Sequence, residues 1–367
     1  SLFKSRNPRG LLEKEGRRNY NASRDRKTVI TRPSGERNFE QAQSVLGILK
    51  HGPGDVVYFV TWSNNQLGLL RTGVTHLFPT ISRYYPSQRW PRDPSVLGLN
   101  HTHIISCLSP LSIRNALMPQ VRTPKSKLVL FPPSYPPEVS SISHEDPFHM
   151  AEKVAYISEV AQSMGKTVSV DHDSGTLVIQ NEKGSQTFDL AHLVLVGDFN
   201  RSTNGKNVVA GIQAFKELKQ QGKHPNALYV KNRSKWEGSE GEEKDAFETL
   251  TQELQDEYWF LWDKKVTSFP EVITKCYLGC DIILQLSGAE GASNTVVEAA
   301  AVARCMLILN GTSNPHLFNH MGVFVEPESK LQTMRGVYFS VPHYPDLFAK
   351  LDWLIGHRDE RVAVGNK

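Results

Sequence analysis

The chain has 367 residues, 39% of them apolar and 22% charged, with a net charge of +4. That composition fits ordinary globular material in sufficient quantity for two domains. No run approaches the roughly 18–20 apolar residues that a bilayer-spanning helix needs, which excludes an integral helical membrane protein as the first expectation.

The charge is uneven. Residues 1–50 carry twelve Lys/Arg against five Asp/Glu, a local net of +7. A basic amino-terminal region of this kind suits peripheral contact with an anionic membrane or another polyanion. The four cysteines, Cys107, Cys276, Cys280 and Cys305, have neither disulfide-framework nor zinc spacing and read as reduced thiols. Five N-x-S/T sequons occur, at Asn21, Asn100, Asn200, Asn232 and Asn310. Asn200 falls in a loop argued below to bind phosphate, where a glycan would block function. Both features favour the cytoplasm, or the cytoplasmic face of a membrane.

In chain order, residues 1–27 are polar, with a short helical candidate around Leu11–Glu15. Strands are predicted at 28–31, 55–62, 73–78, 103–107 and 127–131, with helices over 39–50 and 110–117 and a polar aromatic loop over 83–94. His101 and His103 form an H-x-H with no third ligand at metal spacing and read as structural. The PPSYPPE run at 132–138 marks a linker. Beyond it, the periodicity predicts a helix over 149–164 and a hairpin or small meander over 167–190. A second alternation follows: strand 192–196, loop 197–207, helix 208–221, strand 227–231, helix 247–257, strand 258–261 and helix 269–278. This α/β pattern divides as an amino-terminal Rossmann-like domain over 1–135 and a linker with inserted helix and hairpin over 136–190. A second Rossmann-like domain covers 191–340, and a helical tail over 341–367 is expected to pack back near the hinge.

The most informative stretch is 281–328. Ile282–Leu286 reads as a buried strand, Ser287–Asn294 as a small-residue loop, and Thr295 onward as a helix with Ser293 or Asn294 as N-cap. Cys305–Leu309 is the next strand. A loop at a strand's carboxyl end that opens a helix presents free N–H groups, an anion site. Glu290 and Glu298 stand as an E-x7-E across it. A carboxylate accepts two hydrogen bonds from a vicinal diol, so the pair suits sugar rings on either side of a phosphate.

The context S-x-x-E-G-x-S-N-x-x-x-E-A-x-A closely resembles the donor-site motif of retaining GT-B glycosyltransferases of family 4. The resemblance covers about 190–365 in good motif order and 28–135 more faintly. It implies the α/β GT-B architecture, two Rossmann-like parallel-sheet domains facing each other across a cleft. It also implies a nucleotide-diphosphate sugar as donor substrate, with no cofactor and no catalytic or structural metal. In the GDFNRSTNGKN loop, Gly197 stands where the backbone approaches the diphosphate, and Arg201 and Lys206 where a basic pair grips it. Val266, with Thr267, matches the contact to the base. Gly291, Ala292, Ser293, Asn294 and Thr295 match the phosphate-facing amides, Glu290 the donor-sugar ligand and Glu298 the ribose ligand. TGVTHLFP at 72–79 resembles the strand whose histidine faces the donor sugar, which selects His76. The catalytic set implied is thus Glu290, His76, Arg201 and Lys206.

The opening strand and glycine-rich loop of the family are not visible in 1–27, so the first unit is expected to be trimmed or rebuilt at its start. The expected partners are a nucleotide-sugar donor and a glycan, lipid-linked or other hydroxyl acceptor. Two other classes share these features: a GT-B-fold sugar-nucleotide epimerase, and a non-catalytic module binding a nucleotide sugar or nucleic acid.

Overall fold

The structure, a computed structural model, describes residues 148–366 except 234, 239, 266–270, 289, 291–292, 312–313, 329–331 and 335–336, together with the backbone of six short strands before residue 131. The chain separates into two compact units, residues 1–132 with 335–337 and residues 133–334 with 338–367.

In the first unit, β1 (Asn21–Ala22) pairs antiparallel with β2 (Val29–Ile30). β3 (Val57–Phe59), β4 (Thr80–Tyr84), β5 (Ile104–Cys107) and β6 (Leu128–Leu130) form a parallel sheet in chain order. Parallel neighbours require long crossover connections, which is the α/β class expected from the alternating pattern. The strand expected over 73–78 lies outside the described residues. β4 instead starts at Thr80 and runs into the span expected as an aromatic loop.

The second unit begins with α1 (Met150–Ser163) and a three-stranded antiparallel meander of β7 (Thr167–Asp171), β8 (Thr176–Asn181) and β9 (Gly184–Asp189). Leu177, Ile179 and Phe188 are its fully buried side chains, so the meander packs by one face.

There follow β10 (Val194–Asp198), α2 (Val208–Gln220), β11 (Ala227–Asn232), α3 (Glu242–Leu254) and β12 (Phe260–Asp263). After a π-helical turn (Val272–Tyr277) come β13 (Ile282–Gln285), α4 (Asn294–Ala301), β14 (Cys305–Leu309), α5 (Asn314–Phe318) and β15 (Val323–Val325). The chain closes with α6 (Tyr344–Gly356) and α7 (Arg358–Gly365). The six strands form one parallel sheet in the order β12-β11-β10-β13-β14-β15.

β10, β11, β13 and β14 are buried along their whole lengths. Strands covered by helices on both faces are largely apolar rather than alternating, and here they read that way except at the carboxyl ends, Asp198, Lys231, Asn232 and Gln285. α2 packs against α3 and α6, while α1 and α4 both contact the π-helical turn. A buried ion pair fixes α1 to the sheet. Lys153 Nζ lies 2.8 Å from Asp281 Oδ1, and Asp281 Oδ2 accepts from the Leu195 amide at 2.7 Å.

Candidate functional site

The order of the six strands reverses between β10 and β13. In open parallel sheets the crevice outside the carboxyl ends at such a switch point is where ligands bind. Two loops leave it, 199–207 from β10 and 286–293 from β13, and backbone and side-chain bonds tie them together. The Gly288 amide donates to Gly205 O at 2.8 Å, and the Ser340 amide to Gly288 O at 3.1 Å. Asn207 Nδ2 donates to Leu286 O at 2.7 Å and to Ser340 O at 3.0 Å. Asn207 holds a left-handed φ of 53°, a conformation that asparagine tolerates better than most side chains.

This scaffold carries Lys206 across to the second loop. Its Nζ donates to Ser287 Oγ at 2.9 Å and forms a short ion pair with Glu290 Oε1. Lysine, serine and glutamate are therefore assembled at the switch point, about a fifth to a quarter of each charged side chain remaining accessible, 24% for Lys206 and 19% for Glu290. Glu243, from the first turn of α3, accepts the Gly205 amide at 3.2 Å. Burial pushes its carboxyl above the usual range, against the bonds from Gly205 and Asn204.

Three residues past Glu290, Ser293 occupies the N-cap position of α4, as expected from the sequence, yet its side chain makes no capping bond. Gln285 Nε2 donates to its hydroxyl at 2.5 Å instead. The first-turn amides of α4, from Asn294 and Thr295 onward, therefore receive no serine cap, and an anion can take its place.

Glu298 lies one turn further along α4, where Tyr277 OH donates to its Oε2 at 3.1 Å. Burial raises the Glu298 carboxyl, while the Tyr277 bond and the charge of Arg233 act the other way. Tyr277 packs edge-on to Phe199, the first residue of the β10 loop, with ring centroids 4.5 Å apart. Arg233, at the end of β11, holds a left-handed φ of 58°, and its carbonyl accepts from Ser202 Oγ at 2.8 Å. The loops after β10, β11 and β13 thus share one corner of the sheet.

One expected residue is placed differently from its motif role. Gly197 belongs to β10, which runs on to Asp198, and it pairs with Val230 on one side and Ile283 on the other. A Cβ there would lie 2.5 Å from Phe199 Cε2 and 2.7 Å from Cys280 Sγ, so core packing demands the glycine. Arg201 is exposed, and among the described residues its guanidinium has no partner. His76, Val266, Gly291 and Ala292 lie outside the described residues. Asn207, Tyr277, Arg233 and Glu243 were not singled out by the sequence, and Ser287 stands at the head of the S-x-x-E motif with no role assigned to it. Asn200 and Asn232 have their amides buried in hydrogen bonds, to Asp198 and Leu284 O and to Asp263 respectively, a poor setting for glycosylation.

No family model and no curated protein matches the sequence. Solved structures do match the fold. Anabaena HepE in complex with UDP and glucose aligns with a TM-score of 0.58 at 13% identity, over 97% of this chain and 82% of its own. An α,α-trehalose-phosphate synthase (UDP-forming) from Burkholderia vietnamiensis gives 0.60 at 13% identity, over 92% and 73%. A glycosyltransferase from Rickettsia africae gives 0.57 at 14% identity, over 92% and 77%. These likenesses establish the fold as the α/β GT-B architecture of such glycosyltransferases.

Proposed function

We propose that the protein is a retaining, metal-independent glycosyltransferase that moves a sugar from a nucleotide-diphosphate sugar to an acceptor hydroxyl. The observation that carries this reading is Lys206 held between Ser287 and Glu290 at the switch point, beside a helix start whose serine cap is turned away. A lysine and free helix amides stabilise charge that grows on a diphosphate as it leaves. Arg201, exposed on the same loop, adds a second cation. When phosphate oxygens take over Lys206, the Glu290 carboxylate turns to the donor sugar's hydroxyls. Glu298, held by Tyr277, receives the ribose diol.

With the cationic charge supplied by Lys206 and Arg201, the departing phosphate can itself accept the acceptor's proton. No metal and no protein nucleophile are then needed. The uridine nucleotides bound to several similar structures favour a UDP-sugar over a GDP-sugar. The test is turnover of a UDP-sugar panel in excess chelator, with the product anomer read by NMR. Transfer to a hydroxyl with the donor's anomeric configuration kept is the expected result. An inverted product would overturn the retaining mechanism, and interconversion of the donor without any acceptor would make the protein an epimerase.

A further inference from the structure

A cavity of about 230 Å³ lies at the opposite, amino-terminal edge of the same sheet, and its charge is lopsided. Its floor is the start of β10, the start of β11 and Asp281 just ahead of β13; its walls come from α1 and the α6–α7 corner. Each strand separates this edge from the Lys206 loop by roughly five residues at about 3.3 Å apiece, so the cavity is distinct from the proposed donor site.

Three permanent cations line it, Lys153, Arg358 and Arg361, against a single carboxylate, Asp281. Lys153 is already paired with Asp281 at 2.8 Å. The two arginines are left without a carboxylate partner among the described residues. Arg361 is buried, and its bonds run from Nη1 alone, to Leu354 O at 2.7 Å and Ile355 O at 2.6 Å. Arg358 Cζ sits over the Phe148 ring, 3.7 Å from its centroid, and one of its nitrogens donates to Ala191 O at 3.4 Å. A guanidinium over an aromatic face still has in-plane N–H donors to offer, the fork that receives an oxyanion.

His192 and His224 line the same cavity. Asp352 holds the His224 ring by Oδ1 at 2.6 Å, and its Oδ2 is occupied by Lys223, so this carboxylate does not neutralise the arginines. His192 stands 3.8 Å from Asp189 and is largely exposed at the rim. Arg361 is a buried guanidinium whose bonds go to two backbone carbonyls and none to a carboxylate, so an anion between it and the exposed Arg358 would complete its charge pairing.

We infer that this cavity is a second binding site, for a compact phosphomonoester whose phosphate sits between Arg358 and Arg361. A volume just under the roughly 300–1,000 Å³ of drug-sized pockets suits a three- to six-carbon phosphate better than a nucleotide.

The experiment is calorimetric titration of the full chain with glycerol 3-phosphate, inorganic phosphate and glycerol. The proteins are wild type, Arg358→Ala, Arg358→Glu and Lys206→Ala. Arg358 is exposed, so its variants should fold, and their melting curves check that they do. The expected result is saturable one-site binding of glycerol 3-phosphate, weakened at least tenfold in both Arg358 variants and unchanged in Lys206→Ala, with none for glycerol. Equal affinity for inorganic phosphate would support the site with the free ion as its ligand. Absence of saturable binding, or binding indifferent to Arg358→Glu, would overturn the inference. Binding lost in Lys206→Ala but kept in the Arg358 variants would place the phosphate in the donor site and overturn it equally.

Discussion

Glu298 shows how one half-buried carboxylate trades stability for recognition. Its pKa lies above the ordinary glutamate value of 4.5 because burial disfavours the charged form. The native state therefore holds this proton more tightly than the unfolded chain does. Its contribution to stability is greatest in acid and declines as pH rises from about 4.5 through the folded value. Glu298→Gln keeps an acceptor for Tyr277 and removes the charge. We expect a higher melting temperature than wild type at pH 7, the two converging near pH 4, with weaker nucleotide binding measured by calorimetry. A variant that melts lower at pH 7 would show the carboxylate to be a net stabiliser instead. Lys206 differs from Glu298 in being a partly accessible cation between a hydroxyl and a carboxylate, both of which a phosphate can displace.

Among the elements, β10 makes a sharp test of what its glycine is for. Gly197→Ala drives a Cβ against the Phe199 ring and the Cys280 sulfur. Overpacking of that kind costs about 1–3 kcal/mol, read as a lower urea midpoint at unchanged slope. If the glycine served ligand approach alone, stability would be untouched and only nucleotide affinity would fall. The sequence revealed the core strands well. Ile282–Leu284 and Cys305–Leu309 are short continuous apolar runs, as strands covered on both faces tend to be. It placed α3 less well: the helix expected over 247–257 runs from Glu242 to Leu254, because its first turn is acidic and lacks apolar periodicity. The segment expected as a helix over 269–278 includes a π-helical turn, Val272–Tyr277, whose wider spacing a 3.6-residue period does not report. In the site, the motif pointed to Lys206 and Glu290. Tyr277, Asn207 and Arg233 join them through contacts between segments far apart in the chain, and such pairings leave no local pattern to read.

Across the whole molecule, the second unit is tied together by polar contacts placed at the two ends of one sheet. At the amino-terminal edge, Lys153 and Asp281 join α1 to β10 and β13 with side chains only 1% and 5% exposed. Removing one partner leaves a buried charge uncompensated, so Asp281→Asn should cost about 3–5 kcal/mol in chemical denaturation, while Lys153→Met with Asp281→Leu together should recover most of it. A single variant as stable as wild type would mean that water reaches the pair. At the carboxyl edge, the bonds among Gly205, Asn207, Gly288 and Ser340 hold the two loops that present Lys206 and Glu290. The most direct test of the nucleotide-sugar reading is calorimetric titration of UDP, without added metal, into the wild-type chain and Lys206→Ala. The account predicts one saturable site whose occupancy raises the melting temperature, by about 2.7 kcal/mol of added stability at a hundredfold excess over Kd, with affinity at least tenfold weaker in the variant. A folded protein that binds no UDP, or a Lys206→Ala variant that binds it as tightly as wild type, would contradict the account.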